Sequence, residues 1–264
     1  MKIDIVSLFP NFFTSPLNES LIAKAVQNKI LEIDVHNLRD YSNLPHKQVD
    51  DTPYGGGAGM VLKPDVLAAA IKDLRREGSL VILTEPTGEK FTQRKAAELS
   101  KKNHLIIVCG RYEGVDQRFK DKYVDTEISI GDYVLNGGEG AAWVILETIV
   151  RLVPGVLGSE ASLGEESFSV SRSWEGKEIQ TLEYPQYTRP EVFEGQHVPK
   201  VLLSGNHQEI SEWRKNQSLI KTKKLRGDLL TGTDQWPLSD QAKSQLDSSK
   251  LVGCAESLVA LFRH

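Results

Sequence analysis

The chain has 264 residues, 39% of them hydrophobic, enough to bury a sizeable core in one large domain or two modest ones. Its net charge of -4 and pI near 5.9 exclude a surface coated in positive charge, so any nucleic-acid contact must be local. Two cysteines, Cys109 and Cys254, support neither a disulfide framework nor a four-ligand zinc site within one chain. No stretch approaches the roughly 18 uninterrupted apolar residues of a membrane span, and Met1-Lys2-Ile3-Asp4-Ile5 opens no secretory leader, so a soluble cytoplasmic protein is expected.

In chain order, residues 3–8 and 31–35 have the pattern of strands. Val66, Leu67, Ala70, Ile71 and Leu74 fall at helical spacing before Gly78, a helix stop. Leu80-Val81-Ile82-Leu83 and Leu105-Ile106-Ile107-Val108 are short unbroken apolar runs of the kind that buried parallel strands show. This alternation predicts an α/β domain with a largely parallel sheet, whose ligand sits at the carboxyl ends of the strands, in the loops after residues 83, 108 and 130. An apolar helix is predicted over residues 143–153, stopped by Pro154-Gly155. Residues 158–181, rich in Ser, Glu and Gly, are expected to be a mobile linker. Beyond it lies a segment of helical periodicity, with Leu251, Leu258 and Phe262 on one face. The implied organisation is an α/β domain at 1–158, a linker at 159–182 and a smaller, mainly helical domain at 183–264. From Trp213 to Arg226 six basic residues (Arg214, Lys215, Lys221, Lys223, Lys224, Arg226) occur with no acidic one, which is either a local RNA-contacting stripe or a solvated helix face.

Three glycine-containing loops stand out: residues 50–60, 109–114 and 130–139. One alone is what turn chemistry produces, but two of them follow predicted strands. Neither a Gly-x-x-x-x-Gly-Lys-Ser/Thr phosphate loop nor a Gly-x-Gly-x-x-Gly register is present at residues 55–60, which argues against a P-loop hydrolase and a Rossmann dehydrogenase. Asp50, Asp51, His197 and His207 lack metal-ligand spacing.

Taken together, Pro53 to Met60, Cys109 to Gly114, Ile130 to Leu135, Pro154-Gly155-Val156-Leu157-Gly158, Tyr187-Thr188-Arg189-Pro190 and Leu203-Ser204-Gly205-Asn206-His207 resemble, in order and spacing, the bacterial tRNA (guanine-N1)-methyltransferases. The resemblance implies a SPOUT α/β domain tied in a trefoil knot, which periodicity could not show, and S-adenosyl-L-methionine as methyl donor. Carried over by position, the donor site would use Pro86 and Gly88, then Gly110 and Glu113, then Ile130, Gly131, Asp132, Tyr133, Val134, Leu135, Gly137 and Gly138. The substrate would meet Asp50, Tyr54, Gly55, Gly56 and Gly57 and, on the second domain, Arg214, Lys221 and Lys224. The resemblance further implies a homodimer with shared active sites, a tRNA substrate (not DNA, not a membrane) whose target guanosine lies just 3′ of the anticodon, and a requirement for magnesium without a recognisable cage.

Guanine N1 is about as weak an acid as a tyrosine phenol, with a pKa of ~10, so N1 methylation needs a base for its proton and a cation at O6. By resemblance these are the second residue of Glu165-Glu166-Ser167-Phe168 and Arg151. The family has aspartate where Glu166 stands, and the extra methylene extends the carboxylate by about 1.5 Å. Three readings stay open: Glu166 acts from a repositioned loop, Glu165 or Glu160 substitutes, or the enzyme is slow. The linker also runs longer than the family pattern and carries Arg172 and Trp174, the latter able to stack on RNA or simply to pack. A SPOUT enzyme with another RNA target, or a donor-binding RNA-binding protein with impaired catalysis, are the competing expectations.

Overall fold

The computed structural model describes residues 1–157, 163–169, 173–174 and 177–230. The chain divides into two compact units, Met1–Glu160 and Ala161–His264. The first is built on five parallel strands, β1 (Lys2–Ser7), β2 (Glu32–Asn37), β3 (Ser79–Lys90), β4 (His104–Cys109) and β5 (Thr126–Ser129), in the order β2-β1-β4-β3-β5. The unbroken apolar runs arise because the sheet is covered on both faces. In β4, Leu105, Ile107 and Cys109 enter one core while Ile106 and Val108 enter the other.

Helices α1 (Ser20–Gln27), α2 (Pro64–Leu74), α3 (Gln93–Leu99), α4 (Gln117–Tyr123) and α5 (Glu139–Val150) supply the two outer layers. Ile22 and Ala25, Ala96 and Leu99, and Ala142, Ile145, Leu146 and Ile149 place α1, α3 and α5 on one face. Val66, Leu67, Ala70, Ile71 and Phe119 place α2 and α4 on the other. Pro64 starts α2 where its missing N–H costs nothing, and the side chains of Thr92 and Asp116 cap α3 and α4 by accepting from Lys95 N and Arg118 N. The helix predicted over residues 143–153 starts earlier, at Glu139, and ends at Val150 with Arg151 as its C-cap. The predicted loop after residue 83 is instead a continuation of β3 to Lys90, because β5 pairs with it on both sides of an irregularity between Thr84 and Glu89. Gly88 permits this: a Cβ there would lie 2.5 Å from the carbonyl carbon of Glu127.

In the second unit, α6 (His207–Leu225) is capped by Asn206, whose side chain accepts from Gln208 N and Glu209 N. Its buried residues are Ser218, Leu219 and Thr222, and the segment expected as linker packs here through polar contacts. Leu182 N donates to Thr222 Oγ1 at 2.8 Å, Ser218 Oγ donates to Thr181 Oγ1 at 3.0 Å, and Phe168 N donates to Thr181 O at 2.9 Å. The expected helical face of Leu251, Leu258 and Phe262 lies outside the described residues, as do Gly158, Glu160, Arg172, Cys254 and the Trp174 side chain.

Asp4 is 2% exposed inside the sheet, yet it is an acid. His36 Nε2 and His104 Nε2 lie 2.8 and 2.7 Å from its two oxygens, and Ser79 Oγ lies 2.7 Å from His104 Nδ1. Burial alone would raise its pKa, but the hydrogen bonds to both imidazoles and the nearby charge of Lys2 outweigh burial and bring it below the usual carboxylate value. Asp4→Asn is expected to lower stability by about 2 kcal/mol at neutral pH by orphaning these partners. Because the folded pKa is the depressed one, the contribution of Asp4 is complete above the unfolded carboxylate value of about 4 and is lost as pH falls through the folded value. Urea unfolding of both proteins across the acid range should show the gap closing only at its lower end.

Candidate functional site

The middle of β3, at Thr84–Pro86, and the carboxyl ends of β4 and β5 surround a cleft of about 240 Å³. Its construction begins with one hydroxyl. Thr84 Oγ1 lies 3.3 Å from both Val108 O and Gly138 O, to which its proton is directed, and accepts from Gly110 N at 3.3 Å. Gly138 N in turn donates to Gly110 O at 2.7 Å. Three segments distant in sequence thus meet backbone to backbone, which only glycine allows. A Cβ at Gly138 would lie 2.0 Å from Thr84 Oγ1 and 2.6 Å from Gly110 N; one at Gly110 would lie 2.6 Å from Thr84 O.

Ion pairs brace this meeting point. Arg111 crosses Gly137, where a Cβ would sit 2.2 Å from Nε, and donates from Nε to Glu139 Oε2 at 3.2 Å and from Nη1 to Asn136 O at 3.0 Å. Glu139 is 2% exposed at the start of α5; its other oxygen accepts from Ser7 Oγ at 2.8 Å, and the Arg111 guanidinium covers the Phe9 ring at 4.3 Å. On the opposite wall Lys120 is paired with Glu85 and lies 3.4 Å from Glu127. Burial raises the Glu85 pKa and Glu127 raises it further, more than Lys120 lowers it. The adjoining Tyr112 has φ of 59°, a left-handed conformation uncommon outside glycine.

The glycine-rich loop at residues 53–60 is tied to the same cleft. Glu113 N donates to Met60 O and Leu62 N to Gly114 O, both at 3.0 Å, and the Glu113 side chain lies so close over Gly59 that a Cβ there would be 2.4 Å from it. Beyond this tether the loop is open: Tyr54 is 97% exposed, and a Cβ on Gly55 or Gly56 would meet nothing within 4 Å.

A family model described as tRNA (Guanine-1)-methyltransferase TrmD matches residues 1–232. Proteins named tRNA (guanine-N(1)-)-methyltransferase from Dictyoglomus turgidum and Carboxydothermus hydrogenoformans are both 53% identical to this chain, over 233 and 230 residues (88% and 87% of this chain, 91% and 87% of theirs). One from Geobacillus kaustophilus is 48% identical over 248 residues, 93% of this chain and 97% of its own. The chain belongs to this family. The five-stranded unit accordingly has the SPOUT fold of tRNA (guanine-N1)-methyltransferases, as the motifs led one to expect.

For this member of the family, Pro86, Gly110, Glu113, Ile130, Gly131, Tyr133, Val134, Leu135, Gly137 and Gly138 line the cleft. Gly88 and Asp132 do not: the backbone of Gly88 packs on β5, and the Asp132 carboxylate is 93% exposed, 3.7 Å from Lys90 Nζ. Thr84, Glu85 and Arg111 also line the cleft, and sequence reading missed them; Arg111 sits inside a motif that was noticed, whereas Thr84 and Glu85 carry no local signal. Asp50 pairs with Leu62 in a short hairpin at the base of the glycine loop. Arg151 is half-buried in the first unit, and Glu166 is half-buried in the second. On α6, Lys224 is exposed, Lys221 is half-buried, and Arg214 is engaged with Glu165 and Tyr184. No group of three His, Cys, Asp or Glu among the described residues could hold a metal ion.

Gly138→Ala is expected to cost about 1–3 kcal/mol or more by forcing the three segments apart. Thermal stabilisation by S-adenosylmethionine, the expected outcome for wild type, should be absent from Gly138→Ala and present in Gly55→Ala, strained but unobstructed; differential scanning fluorimetry with and without the donor distinguishes the two.

Proposed function

We propose that the protein transfers a methyl group from S-adenosylmethionine to N1 of the guanosine 3′-adjacent to the tRNA anticodon, position 37. The observation that carries this reading is the glycine-walled cleft at the carboxyl ends of a SPOUT sheet, in a chain of the tRNA (guanine-N1)-methyltransferase family. The cleft suits the donor chemically. Gly110, Gly137 and Gly138 keep their wall free of side chains, Ile130, Val134 and Leu135 offer apolar walls for an adenine ring, and the carboxylate of Glu113 suits a cationic ligand. When bound, the donor supplies an electrophilic methyl on a sulfonium that becomes a neutral thioether.

The remaining chemistry belongs to the protein. Glu166 accepts the N1 proton, Arg151 stabilises the charge growing on O6, and the base must leave the anticodon-loop stack because N1 is otherwise shielded. Arg151 belongs to the first unit and Glu166 to the second. The exposed glycine loop with Tyr54 offers an aromatic face for an unstacked nucleotide. Helix α6 turns Lys215, Lys223 and Lys224 to solvent, a positive edge for phosphates in an otherwise acidic protein. Tyr133, Val134 and Leu135 are exposed apolar residues at the cleft, and Val134 at 82% exposure argues for burial against a second copy, as a homodimer. Magnesium, kept largely hydrated, completes the requirements, and the cytoplasm, where tRNA is processed, is the proposed compartment; no helix among the described residues is long and apolar enough to cross a membrane.

Methyl transfer from labelled S-adenosylmethionine to a tRNA transcript with guanosines at positions 36 and 37, followed by nucleoside identification, tests the proposal. Wild type should yield N1-methylguanosine, and Glu166→Gln should lose about 10²-fold or more in rate; a wild-type product other than N1-methylguanosine would refute the assignment. Lys224→Ala should weaken tRNA binding evenly across tRNA sequences and reduce the slope of log K against log salt by about 1.

A further inference from the structure

We propose that Tyr184 and Arg214 are positioning residues that set the place of Glu166 by gripping its neighbour, Glu165. The inference rests on the reading of Glu166 as the base and concerns what holds that base in place.

Glu165 is a mostly exposed side chain, of a kind that ordinarily samples many rotamers. Here the Tyr184 hydroxyl donates to its Oε2 at 2.5 Å, and Arg214 Nη1 lies 3.8 Å from the same oxygen. The Arg214 guanidinium lies 4.8 Å from the Tyr184 ring centroid, so arginine, tyrosine and glutamate form a closed triangle. Burial, followed by the hydrogen bond to Glu165, raises the Tyr184 pKa, so that at neutral pH the phenol is the donor and the carboxylate the acceptor.

The segment is held on the other side as well. Glu183 N donates to Ser167 Oγ at 2.9 Å, and Phe168 N to Thr181 O at 2.9 Å. Ser169 N donates to Glu166 O at 3.3 Å, and Phe168 turns with φ of 65°. Glu166 is therefore bracketed at the preceding and following residues, which limits where its carboxylate can swing. That restriction matters for a glutamate, whose extra torsion relative to aspartate would otherwise spread the base over more positions.

Arg214 also differs from its basic neighbours. Lys215, Lys223 and Lys224 are exposed, whereas Arg214 is half-buried, and its Nε is buried with no hydrogen-bond partner among the described residues. Reaching a phosphate would require leaving the stack on Tyr184. Because Arg214 lies on α6, the helix offered to RNA also grips the segment that carries the base.

The test uses the full-length protein with labelled S-adenosylmethionine and the tRNA transcript, measuring single-turnover rate at saturation, KM for tRNA and melting temperature for Tyr184→Phe, Glu165→Gln, Arg214→Ala, Arg214→Lys and Glu166→Gln. Tyr184→Phe and Arg214→Ala should each slow methyl transfer roughly 10- to 100-fold, with KM for tRNA and melting temperature little changed and partial recovery in Arg214→Lys. Tyr184→Phe removes one oxygen and keeps the ring, so it remains informative should Arg214→Ala fold poorly. An unchanged rate in Tyr184→Phe and Glu165→Gln would overturn the proposal, as would a raised KM and a shallower salt dependence in Arg214→Ala at unchanged rate, the signature of a phosphate contact. Full activity in Glu166→Gln would instead remove the base reading itself, so the two failures are separable.

Discussion

The close meeting of Thr84, Gly110 and Gly138 is the constraint on which the first unit depends. A single threonine hydroxyl satisfies backbone groups from two separate segments, at separations that leave no room for a Cβ at either glycine. Everything near the cleft is arranged to keep those segments together. Arg111 and Glu139 clamp one side, tying the start of α5 back to Ser7 on β1, and Lys120 draws Glu85 and Glu127 together on the other. Two cores stand beneath it, and the strands between them are apolar on both faces, so the platform is rigid where the loops must be exact in position.

How much of this could be read from the sequence depends on the range of the interaction. The β4 strand and α2 were legible because each announces itself within a few residues, by an unbroken apolar run and by helical spacing. The extension of β3 past Thr84 was not legible, since it depends on pairing with a strand some 40 residues away and on Gly88 letting that strand approach. The Thr84 hydroxyl meets Gly138 across 54 residues, and no periodicity encodes such a contact. The alternation of strand and helix already pointed to the chain after residues 83, 108 and 130 as the place of the cleft, whereas the individual residues Pro86, Gly110 and those within 130–138 came from motif resemblance.

The segment read as a mobile linker is instructive for a different reason. It carries few large apolar residues, and low apolar content is the ordinary mark of a loose chain. Its described residues nevertheless join the second unit through hydrogen bonds: Phe168 to Thr181, Glu183 to Ser167, Leu182 to Thr222. Order of this kind depends on donors and acceptors matched across 13 to 40 residues, which composition cannot reveal. One consequence is that the two halves of the proposed proton chemistry ride on separate bodies, with Arg151 on one and Glu166 on the other.

The glycines at 110, 137 and 138 carry an implication for inhibition. Resistance to a drug usually arises when a side chain in contact with it is exchanged for another that the protein tolerates. At these positions any added side chain collides with Thr84, Gly110 or Arg111, so the wall itself offers the protein no substitute. A small molecule that draws its affinity from this backbone, and little from the exposed side chains of Val134 or Tyr112 at the rim, would bind a surface that selection has almost no freedom to redraw.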